Sequence, residues 1–242
     1  MRIEPTKLQR LLELASISKG GKSKIEELLL DFKDDGVYVA NRDAGITMLA
    51  FGMFKKDYFE SYDPIGEVKL RANDMLNRLS KSFKGDKTIE LIFKDGKVTL
   101  TGKNEVYEEK GLEKVETSLP FDTVKRTQYG YITEKADIAV AYKLEITQLD
   151  NIGTDRIRLN YSDSEIKAEA KSAVSSYVRK LEYTQKSQSA EGEVILDVEK
   201  LQRVVELLAG PVWLVLTQEP VSISYLGEDL EITYIIAPIK GM

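Results

Sequence analysis

Apolar residues recur three and four positions apart in two stretches near opposite ends of the chain. One is Leu8, Leu11, Leu12 and Ala15; the other is Leu201, Val204, Val205 and Leu208. That spacing puts each set on one face of an α-helix, which buries a stripe and leaves the rest to solvent. The two stretches are nearly the same text, Lys7-Leu8-Gln9-Arg10-Leu11-Leu12-Glu13-Leu14 and Lys200-Leu201-Gln202-Arg203-Val204-Val205-Glu206-Leu207. Away from its stripe each carries a Lys and an Arg three positions apart, Lys7/Arg10 and Lys200/Arg203, and residues so spaced share a helix face. Solvation alone explains one such face, because Lys, Arg and Glu are good helix formers. Two matched faces suggest a repeated unit.

A third helical pattern covers 73–83, with Met75, Leu76, Leu79 and Phe83 inward, Arg78, Lys81 and Lys84 outward, and Gly85-Asp86 as its stop. A fourth is expected over 142–152, with Leu144, Leu149 and Ile152 inward, Lys143 outward and Gly153 closing it. Helices starting near 5, 73, 142 and 198 give an internal period of roughly 55 to 70 residues. Between them, short apolar or alternating runs bounded by turn residues read as strands. These fall at 25–32, 37–39, 46–51, 67–70, 88–93 and 98–102 in the first half, the last two joined by an Asp95-Gly96 hairpin turn. In the second half they fall at 136–141, 156–161, 165–170, 176–183, 193–196, 212–217, 221–225 and 231–237. From 105 to 135 the pattern weakens, charges crowd 105–116, and Ser118-Leu119-Pro120-Phe121-Asp122 reads as an exposed connector. The expectation is an α+β protein of two similar domains, 1–115 and 135–242, joined by a linker at 116–134. Each domain would pack two helices on antiparallel sheet.

With 242 residues, 42% apolar and 31% charged, the chain can build a sizeable core. No apolar run approaches the roughly 20 residues needed to cross a bilayer. The opening Met1-Arg2-Ile3-Glu4-Pro5 does not read as a signal peptide, so an intracellular location is expected. Cysteine and histidine are both absent. That excludes disulfides, thiolate or Ser-His-Asp nucleophiles, imidazole acid–base chemistry and His-based zinc sites. The paired carboxylates Asp34/Asp35, Asp163/Glu165 and Glu228/Asp229 stand in turns, where Asp bonds its own backbone, and none offers the oxygen set of a calcium loop. Gly20-Gly21-Lys22-Ser23 ends like a phosphate-binding loop, but Ser16 stands where that motif needs its first Gly, and the segment follows a helix. Trp213 lies in an apolar strand, and no stretch interleaves aromatic with basic residues. No catalytic residue, metal site or cofactor is expected.

A net charge of −5 and a pI of about 5.2 argue against gripping nucleic acid over the whole surface. They leave room for basic residues gathered on one face. Lys7, Arg10, Arg78, Lys81, Lys84, Lys143, Lys200 and Arg203 come from the four expected helices, with Lys19 and Lys22 following the first. If the helices line one surface, these side chains make a positive stripe that meets phosphates without reading bases.

Three stretches carry a family likeness. Asp35-Gly36-Val37-Tyr38-Val39-Ala40-Asn41-Arg42-Asp43 matches a "G-V-x-L-x-x-x-D" strand and turn. Residues 54–62, ending Phe59-Glu60-Ser61-Tyr62, match an "F-x-x-Y" segment, and Thr233-Tyr234-Ile235-Ile236-Ala237-Pro238-Ile239 matches a closing "Y-x-L-A-P-K/R" strand and tail. In this order and spacing they resemble the sliding clamps of archaea and eukaryotes, the proliferating cell nuclear antigen (PCNA) family, over nearly the whole chain. The resemblance implies a ring of three subunits around duplex DNA, with helices lining the hole and neither catalysis nor a cofactor. Such a ring tethers polymerase and other replication or repair enzymes and is opened by an ATP-driven loader. Partner peptides would dock in a pocket falling on Ile46, Leu119, Phe121, Pro220, Ile236, Ala237 and Pro238, and subunits would meet with 105–116 against 175–183. The location implied is cytoplasmic and nucleoid-associated in an archaeon or virus, nuclear in a eukaryote. Two features depart from the family pattern: a longer stretch from Leu119 to Tyr142, and a short third helix in which Lys143 is the clear cation. Identical or different subunits both remain open, as does a clamp-like subunit of a heterotrimeric or damage-response ring. A carboxylate-dependent DNA-processing enzyme would need clustered acids beside the basic residues, and the sequence shows none.

Overall fold

The computed structural model describes residues 1–19, 22–150, 155–171 and 176–239. The chain forms two compact units, one of residues 1–45, 50–120 and 227–232, the other of 46–49, 121–226 and 233–242. The main crossing, at 120–121, lies within the stretch expected to connect two domains.

The first unit opens with β1 (Arg2–Ile3), α1 (Pro5–Ser16) and a short ribbon, β2 (Ser18–Lys19) with β3 (Lys22–Ser23). A meander of β4 (Glu27–Lys33), β5 (Gly36–Arg42), β6 (Met48–Lys55) and β7 (Gly66–Arg71) follows, then α2 (Ala72–Ser82). β8 (Ile89–Lys94), β9 (Lys97–Thr101) and β10 (Val106–Lys110) complete it. One sheet runs β6-β5-β4-β7 and the other β1-β8-β9-β10, so β10 is a sheet edge. Leu8, Leu11, Leu12 and Ala15 of α1 and Met75, Leu76 and Leu79 of α2 are buried as their spacing predicts, and Phe83 is buried just past α2. α1 ends because Ile17 turns left-handed (φ 52) and its N–H closes onto the carbonyls of Glu13 and Leu14. Gly36, with φ 152, permits the turn into β5; a Cβ there would strike the carbonyl oxygen of Phe54.

In the second unit, β11 (Val124–Thr127) and β12 (Gly130–Thr133) form a hairpin ahead of β13 (Ile138–Glu145). Then come β14 (Arg156–Tyr161), β15 (Ile166–Lys171), β16 (Ser176–Leu181), β17 (Gln185–Lys186), β18 (Gly192–Asp197) and α3 (Val198–Leu207). β19 (Pro211–Thr217), β20 (Val221–Leu226) and β21 (Leu230–Ile236) close the chain. One sheet runs β17-β13-β19-β20-β21 and the other β16-β15-β14-β18, which leaves β16 at an edge. Leu201, Val204, Val205 and Leu208 are buried as expected.

One expectation is corrected. The fourth helix is not formed over the described part of 142–152: β13 runs on to Glu145, and a single 3-10 turn, Ile146–Leu149, follows. The leucine spacing there fits a helix, but β13 pairs residue for residue with β19, Tyr142 opposite Leu214 and Leu144 opposite Val212. Tyr142 and Leu144 are thereby fully buried on the core side, and tertiary pairing overrides local periodicity. Ile152 and Gly153 lie outside the described residues, as do Gly20 and Gly21. The expected connector carries structure of its own. Residues 116–134 hold a 3-10 turn, Phe121–Thr123, and the β11–β12 hairpin. Its strands are four residues each, too short for alternation to be read, and Gly130 (φ 108) lets the turn close where a Cβ would meet Ser224 and Thr233.

Candidate nucleic-acid interface and docking groove

α1 is held by its apolar stripe, which leaves Lys7 and Arg10 half-exposed on its other side. The Lys7 ammonium lies 5.5 Å from the centre of the Tyr58 ring and 3.7 Å from Glu4. The Tyr58 hydroxyl donates to the Lys7 carbonyl at 3.1 Å. Burial pushes the Tyr58 phenol up to about 12, against the opposing pull of Arg10, so the ring stays neutral beneath the cation. In the ribbon, Lys19 and Lys22 stand directly opposite each other and both are exposed. Ser23 fastens the ribbon to the first turn of α2, its hydroxyl donating to Asn73 Oδ1 at 2.8 Å. α2 packs on α1 and exposes Arg78 and Lys81, with Lys84 following in the next turn. The Arg78 guanidinium sits 5.1 Å from the Tyr107 ring centre, and Asp74, Asn77, Arg78, Lys81 and Tyr107 line an open cleft. Seven of the ten cations expected to face DNA thus belong to one connected layer of the first unit.

In the second unit, Asp197 caps α3 by accepting from the backbone N–H of Glu199 at 2.9 Å and of Lys200 at 3.4 Å. Lys200 and Arg203 are half-exposed on the side away from the buried stripe. Lys143 is not brought to them. Its strand neighbours Tyr142 and Leu144 point into the core, so Lys143 lies on the opposite face of the sheet, 5.9 Å from the ring centre of Trp213.

The residues expected to bind a partner peptide divide three ways. Ile46 is 60% exposed and holds φ 52, a left-handed conformation that a β-branched residue adopts only under strain. Its neighbour Thr47 accepts a hydrogen bond from the Ala237 N–H at 3.0 Å, which seats the half-buried Ala237-Pro238 pair beside it. Phe121 is half-buried and edge-on to Tyr131 at 6.2 Å, and Pro220 is half-buried with its carbonyl accepting from the Thr217 hydroxyl at 2.6 Å. Ile236 is fully buried and belongs to the core, not to a groove wall. Leu119, in the first unit, is half-buried and tied by its N–H to the Ala40 carbonyl at 2.8 Å.

Sequence reasoning missed the aromatic pair Tyr129 and Trp213, whose rings lie 4.7 Å apart over Ile132, Ala141 and Val215. The two are separated by 84 residues, and only the β11–β12 hairpin brings them together. The edge strand β10 was also obscured, because charged side chains occupy both of its faces. Among the described residues no three acidic side chains gather to hold a metal ion, and no helix is long and apolar enough to cross a membrane.

No family model and no curated protein matches this sequence. Solved structures do match it, end to end. In the structure of the C-terminal region of FEN-1 bound to A. fulgidus PCNA, the matching chain superposes with a TM-score of 0.79 at 15% identity, over 100% of this chain and 98% of that one. A chain of the PCNA2–PCNA3 complex from Sulfolobus tokodaii gives 0.76 at 18% identity, over 98% and 99%. Proliferating cellular nuclear antigen from Entamoeba histolytica gives 0.74 at 16%, over 99% and 98%. The fold of this chain is the PCNA clamp fold.

Proposed function

We propose that this chain is a DNA sliding clamp, a processivity factor that encircles duplex DNA and tethers replication and repair enzymes. The observation that carries the reading is the end-to-end likeness to PCNA together with cations on the outward sides of α1, α2 and α3, on a chain of net charge −5. A ring holds DNA topologically, so a few phosphate contacts suffice, and contacts made only with the backbone let it slide. Lys7, Arg10, Lys19, Lys22, Arg78, Lys81, Lys84, Lys200 and Arg203 are its DNA-facing residues. The exposed, strained Ile46 and the Ala237-Pro238 pair, with Phe121 and Pro220, are its docking surface for a partner peptide. One compared structure holds PCNA with a segment of FEN-1 bound, which supports a peptide-docking role. The ring is of three subunits joined edge to edge through β10 and β16, and the chain works as a scaffold without catalysis.

The test is retention on DNA. After loading by a matched loader, the wild-type chain should stay on circular DNA and slide off linear DNA. Reversing Lys7, Arg10, Lys200 and Arg203 to Glu should leave folding and assembly in place and shorten retention on circular DNA at least about tenfold at moderate salt. Unchanged loading and retention would return these helices to the role of a solvated face.

A further inference from the structure

The β11–β12 hairpin lies on the face of the second unit's sheet that turns away from Tyr142 and Leu144. Ile132 packs there on Ala141 and Val215, and Tyr129, at the tip, covers the Trp213 ring at 4.7 Å. At the foot, the Tyr131 ring lies edge-on to Phe121, a residue of the proposed docking surface. We infer that this hairpin is a lid. Closed, as it stands, it covers a floor beside the docking surface, and an apolar partner peptide takes the open form. The inference rests on the proposed peptide-docking role and deepens it.

The rim of the docking surface is open while the floor beside it is shut. Ile46 is exposed, and Phe121, Pro220, Ala237 and Pro238 are half-buried. Thr233 accepts the Tyr131 N–H at 3.1 Å and so faces the hairpin. Ile235, two positions on, points the same way and is 2% exposed. Ser222 shares that face. It stands opposite Val215 in the β19–β20 ladder, and side chains so paired lie on one side of a sheet. Its Oγ is fully buried with no hydrogen-bond partner among the described residues. Ser224 and Thr233, by contrast, bond each other at 2.8 Å. A hydroxyl buried without a partner carries a cost that water would relieve. The closed form bears that cost at Ser222, and opening removes it.

The hairpin depends on its latch to stay down. Its strands are four residues each, and a lone two-stranded ribbon is marginal in water. The tip is shaped by Thr127, whose hydroxyl donates to the Gly130 carbonyl at 2.8 Å and accepts the Tyr129 N–H at 3.1 Å. That turn sets the Tyr129 ring on Trp213. Gly130 fits only without a side chain, because at φ 108 its Cβ would collide with Ser224 Oγ and Thr233 Oγ1. At the foot, the Glu134 N–H bonds the Thr123 carbonyl at 3.0 Å, which gives the hairpin a tied base to swing on. Tip and foot are separated along β19. Trp213 lies under the tip, and Thr217, bonded to the Pro220 carbonyl, lies four residues on at the docking end, roughly 13 Å away. A peptide captured at the foot is therefore read at Trp213 through the hairpin.

Trp213 is the sole tryptophan of the chain, so its emission reports the lid. The probe is the C-terminal region of FEN-1, the segment bound to PCNA in one compared structure. Saturating the wild type with it should shift Trp213 emission to longer wavelength as Tyr129 leaves the ring. Trypsin cleavage after Lys125 and Arg126 gives a second measure of opening, and titration calorimetry gives affinity. Tyr129→Ala and Gly130→Ala should both speed cleavage and tighten peptide binding about fivefold, because apparent affinity scales with the open fraction. Ser222→Ala removes the unpartnered hydroxyl and holds the lid shut, so cleavage should slow and binding weaken about fivefold. If Gly130→Ala loses its cooperative unfolding transition, Tyr129→Ala and Ser222→Ala carry the test through their opposite signs. Affinity that fails to follow cleavage across the variants, emission that the peptide leaves unmoved, or a peptide bound by no variant would each overturn the inference. A wild type still retained on circular DNA would then leave the clamp reading standing. Lid-dependent peptide binding by a chain never retained on circular DNA would keep the lid and sink the clamp.

Discussion

Ile46 shows how a single residue can carry a cost that the fold alone does not require. A left-handed β-branched residue is strained by roughly 1–2 kcal/mol, yet Ile46 also turns most of its side chain to solvent. Ile46→Gly should therefore raise stability by about 1 kcal/mol in urea unfolding while weakening capture of a clamp-binding peptide in titration calorimetry. If binding were unaffected, the strain would have some other origin. Glu109 makes the complementary case in charge. Burial raises its carboxyl above the usual range, and the Tyr107 hydroxyl and the Arg71 backbone only partly oppose this. Because the folded value lies above the unfolded one, the associated stability is complete below the ordinary Glu value and is lost as pH rises through the raised value. In dilute protein, the wild type should lose stability relative to Glu109→Gln as pH rises through and above the ordinary Glu range. Equal pH profiles for the two chains would mean the carboxylate is better solvated than its position indicates.

At the scale of elements, the helices α1, α2 and α3 are terminated unequally. α1 and α2 begin at Glu4 and Arg71 with no side chain capping their free N–H groups, whereas Asp197 caps α3. Asp197→Ala should cost about 1 kcal/mol in chemical unfolding, and the loss should be local, seen as faster amide exchange in 198–201. The helices also mark the limit of legibility. Their apolar stripes predicted α1, α2 and α3 almost residue for residue, because a helix that packs on one side must repeat its apolar residues at helical spacing. The same reasoning failed at 142–152, where Leu144 and Leu149 fit a helix but β19 offered Tyr142 and Leu144 a full ladder of partners. Lys143 went with the strand and so to the wrong face for the helix layer. The β11–β12 hairpin escaped for a related reason: its order comes from Tyr129 on Trp213 and Tyr131 N–H on Thr233 Oγ1 at 3.1 Å, contacts with residues far along the chain.

For the whole molecule, net acidity and the proposed contact with DNA are reconciled by distribution. Thirty-five basic residues against 40 acidic ones leave the chain negative, but cations are gathered on helix sides and at β16 while β10 is acidic. In the proposed ring, assembly through β10 and β16 and retention on DNA would both draw on charge, so both should weaken with salt. Retention should fall more steeply, because it depends on exposed cations facing phosphates, whereas the edges also bury Val106, Val178 and paired backbone.

The sequence by itself determined the two-unit α+β architecture, the buried stripes of three helices, most strands and the matched cations Lys7/Arg10 and Lys200/Arg203. These are written in local spacing, and spacing follows from the geometry of helix and strand. Tertiary structure alone decided that Lys143 leaves the helix layer, that Ile236 is core, that Tyr129 covers Trp213 and that Glu109 lacks a partner for one oxygen. Each of these depends on which distant residue fills the space alongside, and no local pattern carries that.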